Sequence, residues 1–187
     1  MTAQSIEQLD GSIEPAFAGV WAIFGHGNVA GLGEALYCVR DQLPTYRGHN
    51  EQSMAHIAIA YAKQKQRRRM MAVTTSIGPG ATNLATAAAL AHVNRLPVLL
   101  LPGDVFATRA PDPVLQQVES FADGTVSAHD CLRPMSRYFD RITRPEQLLQ
   151  ALPKAMSVLT DPADCGPVTL GLCQDCLLYT SPSPRDN

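Results

Sequence analysis

No stretch of this chain approaches the roughly 18 consecutive apolar residues of a membrane span, and its start lacks the charged-then-apolar pattern of a secretory signal. Charge of one sign is missing too. The 15 Lys and Arg against 17 Asp and Glu leave a formal net charge of −2, so no field draws nucleic acid or an anionic membrane, and neither is expected as a partner. Five cysteines, an odd number without regular spacing, exclude a disulfide framework. Cys173 and Cys176 stand in C-x2-C spacing, yet no second pair completes a tetrahedral site. His26, His49, His56, His92 and His129 fall in no metal-binding spacing, so no protein-only metal site is expected. Ser76 lacks the Gly-x-Ser-x-Gly setting of a hydrolase nucleophile, and no glycine loop ends in the Gly-Lys-Ser/Thr of a Walker A motif. These absences leave a soluble, cytoplasmic chain, long enough for one domain with a real core and short for two.

Strand and helix signals alternate through most of what is present. Residues 20–24 form an apolar run ending at Gly25, as in a strand buried on both faces. A helix is expected over 31–42 from the spacing of Leu32, Ala35, Leu36 and Val39, stopped by Pro44. A brief strand at 45–47, an alanine-rich helix at 51–65, a strand at 70–75, a small-residue helix at 81–93 and a strand at 97–101 follow. Residues 108–135, with three prolines, break the rhythm, as an ordered surface excursion or a mobile loop near a site. Regularity resumes with a helix over 145–159 and a strand over 168–172. The run Arg67-Arg68-Arg69 reads as a solvated helix end. The expected fold class is α/β: a three-layer parallel sheet with helices on both faces.

The text changes near Cys176. Leu177-Leu178-Tyr179-Thr180-Ser181-Pro182-Ser183-Pro184-Arg185-Asp186 has no period and resembles translated sequencing-adapter read-through more than a proline-rich linker. Residues 1–175 are therefore taken as the domain and 176–187 as an artefactual tail. The polar lead at 8–15 leaves open that Met1 is an internal start.

Three segments carry candidate chemistry. Gly25-His26-Gly27-Asn28-Val29-Ala30-Gly31 follows the first strand, where glycine serves a phosphate loop or a close-packed turn. Its G-x-G-x-x-x-G spacing departs from the dinucleotide fingerprint and favours the turn. Glu51 opens a helix, either as a charge that suits unpaired N–H groups or as an acid at a strand end where open α/β sheets collect ligands. Gly78-Pro79-Gly80, with Asn83 one turn on, makes a second joint of the same kind.

Those residues also carry a resemblance. Arg47-Gly48-His49-Asn50-Glu51-Gln52 and the alanine-rich stretch after it resemble the glutamate helix of acetolactate-synthase-like thiamine-diphosphate enzymes. Residues 76–83 are similar to their Gly-Pro-Gly-Ala-Thr-Asn turn, and Val114-Leu115-Gln116-Gln117-Val118-Glu119 to the segment that brings a glutamine to the cofactor. The loops around Phe24-Gly25-His26-Gly27-Asn28-Val29 and Leu101-Pro102-Gly103-Asp104 look like those of members that open a cyclic 1,2-dione in myo-inositol breakdown. Acetolactate synthases tend instead to have Tyr-Pro-Gly-Gly in the first loop and a histidine where this chain has Asn50. Cys173 departs from the proline expected before Gln174-Asp175.

The resemblance implies a pyrimidine-binding domain of the thiamine-diphosphate fold. It implies Glu51 as the catalytic group on the aminopyrimidine N1′, Pro79, Asn83 and Gly27 as cofactor contacts, and His26 and Gln116 facing substrate or ring. Thiamine diphosphate is the implied cofactor, with Mg²⁺ and the diphosphate held by a separate domain whose Gly-Asp-Gly…Asn motif does not occur here. The substrate is expected to be a small cyclic polyol diketone, and the partners other subunits in a homodimer or tetramer. Alone, the chain is expected to be inactive. The alternatives are an acetolactate-synthase-like carboligase fragment and a non-catalytic Rossmann-type nucleotide module.

Overall fold

The computed structural model describes residues 1–178. Its strands are β1 (Ser5–Glu7), β2 (Ile13–Pro15), β3 (Phe17–Ala22), β4 (Thr45–Arg47), β5 (Met70–Thr75), β6 (Val98–Asp104), β7 (Tyr138–Ile142) and β8 (Pro167–Cys173). The helices are α1 (Glu34–Cys38), α2 (Glu51–Gln64), α3 (Pro79–Thr82), α4 (Ala85–Asn94), α5 (Leu148–Leu159) and α6 (Gln174–Leu178). Six strands form one sheet in the order β4-β3-β5-β6-β8-β7, every pair parallel.

Every residue of β5 and β6 is buried, as their continuous apolar runs predict for central strands covered on both sides. The strand period of two sorts them: Met70, Ala72, Leu99 and Leu101 pack into one core, Met71, Val73, Val98 and Leu100 into the other. The first core takes Leu36 of α1 and Ala151, Ala155 and Leu159 of α5. The second takes Met54, Ala55, Ala58 and Ile59 of α2 and Ala87, Ala88 and Ala91 of α4. The result is the three-layer architecture expected.

The chain thus leaves β3 for one face and the neighbouring β4 and β5 for the other. Where connections diverge in this way, a crevice opens at the C-terminal strand ends. Helix α2 starts there because Asn50, extended at φ −151°, ψ 129°, accepts the Ser53 amide at 2.9 Å. Such a cap contributes about 1 kcal/mol.

Four local differences from the sequence reading have physical causes. The helix expected over 31–42 shrinks to α1, preceded by an irregular turn at 29–33 in which Gly31 takes φ 69°; two glycines cost a helix start too much. The helix expected over 81–93 divides at Asn83 into α3 and α4. The polar lead is an antiparallel hairpin of β1 and β2. It is held by the basic run, Arg68 Nη1 donating to the Glu7 carbonyl at 2.7 Å and Arg69 Nη1 pairing with Glu14 at 3.0 Å. Finally, β7 is a half-buried edge strand whose Asp140 and Arg141 hid it from an apolar count. Of the tail, residues 176–178 complete α6 with Cys176 buried, and 179–187 lie outside the described residues. No helix among the described residues is long and apolar enough to cross a membrane.

Candidate functional site

Three loops meet at the crevice. Glu51 is the first residue of α2, one joint beyond β4. Beyond β5, Gly78 turns at φ 59°, ψ −117° and Pro79 begins α3, where its missing N–H leaves nothing unsatisfied. The backbone angles at Gly78 suit glycine alone, and a Cβ there would lie 1.9 Å from the Gln116 carbonyl oxygen. Gln116 therefore passes directly over the turn.

Asn83, at the end of α3, donates from Nδ2 to Glu51 Oε2 at 2.8 Å. Glu51 Oε1 lies 3.4 Å from the place of a Cβ on Gly80 and accepts no hydrogen bond from the described residues. One carboxylate oxygen is thus held and the other is free. Glu51, Ser76, Pro79, Gly80, Asn83 and Gln116 line a single concavity of 560 Å³. Gln116 has a positive φ of 67°, and its Oε1 sits 3.8 Å from the place of a Cβ on Gly25.

The first loop closes the far side. Asn28, fully buried, accepts the Gly25 amide on Oδ1 at 2.9 Å. Its Nδ2 donates to the Ile23 carbonyl at 3.0 Å and to Thr74 Oγ1 at 3.1 Å. Thr74 Oγ1 in turn donates to the Leu101 carbonyl at 2.8 Å, so the ends of β3, β5 and β6 are stitched together. Gly27, at φ 96°, would drive a Cβ to 2.3 Å from Ile77 Cγ2, and the Ile77 amide donates to the His26 carbonyl at 3.1 Å.

Of the residues singled out from sequence, Glu51, Pro79, Asn83 and Gln116 come together. His26 and Gly27 do not share their lining. They border a separate cavity of 50 Å³ beside α6, together with Gln174 and Leu177. His26 Nε2 and Gln174 Oε1 are buried without hydrogen-bond partners among the described residues. Sequence reasoning missed Ser76, which was weighed only as a nucleophile; its place just before Gly-Pro-Gly was the available signal. It also missed the cluster beneath β6. There Asp104, 1% exposed, accepts from Arg141 Nε and from the Val105 amide, the latter at 2.8 Å. Burial pulls the Arg141 guanidinium down, but the hydrogen bond and charge of Asp104 outweigh it and hold it above its usual value. Burial first, and then Asp104, push the Cys173 thiol up, which keeps it protonated and inert.

A larger hollow of 650 Å³ opens at the other end of the sheet, bordered by Lys63, Arg67, Arg68, Asn94 and Asp161. It gathers the C-terminal ends of α2, α4 and α5, whose unpaired carbonyls carry partial negative charge. The basic side chains compensate those ends.

Residues 18–123 match the profile described as the thiamine pyrophosphate enzyme N-terminal TPP binding domain. The chain belongs to that family. Over 167 residues it is 56% identical to the 3D-(3,5/4)-trihydroxycyclohexane-1,2-dione hydrolase of Bacillus velezensis, covering 89% of this chain and 26% of the relative. The protein of that name from Geobacillus thermodenitrificans is 56% identical over 168 residues, 90% of this chain and 26% of its own length. One from Bacillus cereus is 55% identical over 172 residues, 92% of this chain and 27% of its own. The chain spans about a quarter of the length of these relatives. The concavity suits a thiamine pyrophosphate enzyme in its donor set: the Glu51 carboxylate keeps one oxygen without a hydrogen-bond partner among the described residues, and the missing Cβ of Gly80 makes room for the Ser76 hydroxyl beside it.

Proposed function

We propose that this chain is the pyrimidine-binding part of a thiamine-diphosphate-dependent hydrolase that opens 3D-(3,5/4)-trihydroxycyclohexane-1,2-dione by cleaving a carbon–carbon bond, giving 5-deoxy-glucuronate. The observation that carries the reading is the carboxylate of Glu51, fixed at one oxygen by Asn83 and open to the concavity at the other. The names of relatives 55–56% identical to the chain support the substrate.

When bound, thiamine diphosphate supplies an electron sink for breaking a bond next to a carbonyl. The protein's share is to hold a proton. The Asn83 amide fixes the carboxylate through Oε2, so Oε1 is the oxygen left to share a proton with the ring N1′. Pro79 and Gly80, which line the concavity, would hold the pyrimidine ring. The Gln116 amide, able both to donate and to accept, faces the dione and its hydroxyls. Gly27 and His26 act from behind, through the fit of Gly27 under Ile77 and the bond from Ile77 to the His26 carbonyl, which set the height of the Gly78 turn. The diphosphate and its Mg²⁺ belong to a separate domain, and the complete site to an assembly of subunits.

The test is turnover of the cyclic dione by the full-length enzyme carrying this domain. Glu51→Gln keeps the shape and removes the shared proton, so turnover is expected to fall by roughly 10²–10⁴-fold with unchanged circular dichroism. Near-normal turnover in that variant would sink the assignment, and hydrolysis by the 187-residue chain alone would refute the need for a second domain.

A further inference from the structure

The segment that carries Gln116 is held in place by side chains rather than by a strand or a helix. The Gln117 side chain makes three hydrogen bonds within it. Its Oε1 accepts the Val114 amide at 3.0 Å, and its Nε2 donates to Asp112 Oδ1 at 2.8 Å and to the Glu119 carbonyl at 2.9 Å. Glu119, 9% exposed, accepts the Val118 amide on Oε2 at 3.2 Å and the Ala128 amide on Oε1 at 2.7 Å. Neither Gln117 nor Glu119 lines the Glu51 concavity; Gln116, immediately before them, does.

Gln116 also has a left-handed backbone, φ 67°, that side-chain-bearing residues avoid. Its carbonyl occupies the space a Cβ on Gly78 would need. A strained residue in an irregular segment keeps such a conformation only where its surroundings over-determine it. Here the over-determination is the pair of side chains on its C-terminal side.

We infer that Gln117, braced by Glu119, is a positioning residue: it clamps residues 112–119 so that Gln116 is presented to the Glu51 concavity. The inference rests on the reading of that concavity as the site of ring and dione. With the clamp released, Gln116 relaxes to negative φ, its carbonyl lifts from Gly78, and its amide turns out of the lining. Gln117 touches neither ring nor substrate, so its effect passes wholly through Gln116.

Gln117→Glu keeps the size of the side chain but deletes both Nε2 donors and sets a carboxylate against Asp112. In the full-length enzyme, kcat/KM for the cyclic dione is expected to fall by roughly ten- to a hundredfold, the usual effect of displacing a substrate-facing group by about 1 Å. The decisive measurement is the double variant. If Gln117 acts through Gln116, Q116A/Q117E is no slower than Q116A alone; losses that multiply overturn the inference. Deuterium exchange of the 187-residue chain supplies a readout independent of substrate. Residues 112–119 exchange faster in Q117E than in the parent, and unchanged exchange overturns the clamp. A parent enzyme without activity on the dione would count against the proposed function, while the exchange result would still decide the clamp.

Discussion

The hollow of 650 Å³ at the N-terminal strand ends and the concavity of 560 Å³ at the C-terminal ends share one sheet and differ in what the helices aim at them. The first receives helix C-termini, and Lys63, Arg67 and Arg68 around it answer the carbonyl charge already there. The second receives the start of α2 and the turn into α3, with a carboxylate held at one oxygen. Even the thiol nearest the basic end shows how little the positive charge prevails. Cys165 donates to the Arg95 carbonyl at 3.1 Å, and burial raises its pKa despite Arg67. Volume ranks the two cavities one way and chemistry ranks them the other.

The comparison is broken most severely at Gly78. Gly78→Ala meets both a forbidden backbone conformation and the Gln116 carbonyl, and is expected to cost about 3 kcal/mol or more in denaturant titration. A smaller loss would mean the segment over the turn moves aside easily. Asn28→Ala comes next. It leaves the Gly25 amide and the Ile23 carbonyl without their partner in a half-buried place, a loss of about 2 kcal/mol in the same measurement. Stability within error of the parent would show that the stitch of three strand ends is dispensable. The smallest effect belongs to the other end. The double variant Lys63→Ala/Arg67→Ala is expected to stay within about 0.5 kcal/mol of the parent, as exposed substitutions usually do, and to leave turnover of the full-length enzyme unchanged. A marked fall in turnover would give the larger hollow a role that helix polarity denies it.

The central strands were legible because burial on both faces leaves an uninterrupted apolar run, which no other element here presents so plainly. The place of Glu51 was legible too, since a carboxylate opening an alanine-rich run after a short strand marks a helix start. Gln116 was not readable from pattern: a residue at φ 67° in a proline-rich segment has no period, and only the resemblance pointed to it. The hairpin of β1 and β2 was too short to alternate visibly, and β7 was masked by Asp140 and Arg141. The pairing of Arg141 with Asp104 joins residues 37 apart in sequence. No local rule reaches that far. His26 was singled out correctly as part of a constrained loop, but the loop sends it to the small cavity beside α6 rather than to the Glu51 lining.

The complete enclosure of β5 and β6 has a consequence for how such a domain changes over time. A strand with no residue left over for solvent or ligand is committed to packing, and almost any substitution in it is felt as a loss of stability. What remains free to vary is the punctuation between elements: the residues just beyond each strand end, where one exchange alters what the crevice accepts while the sheet beneath is untouched. New specificity on this scaffold is therefore gained at the joints, and the sheet is inherited whole.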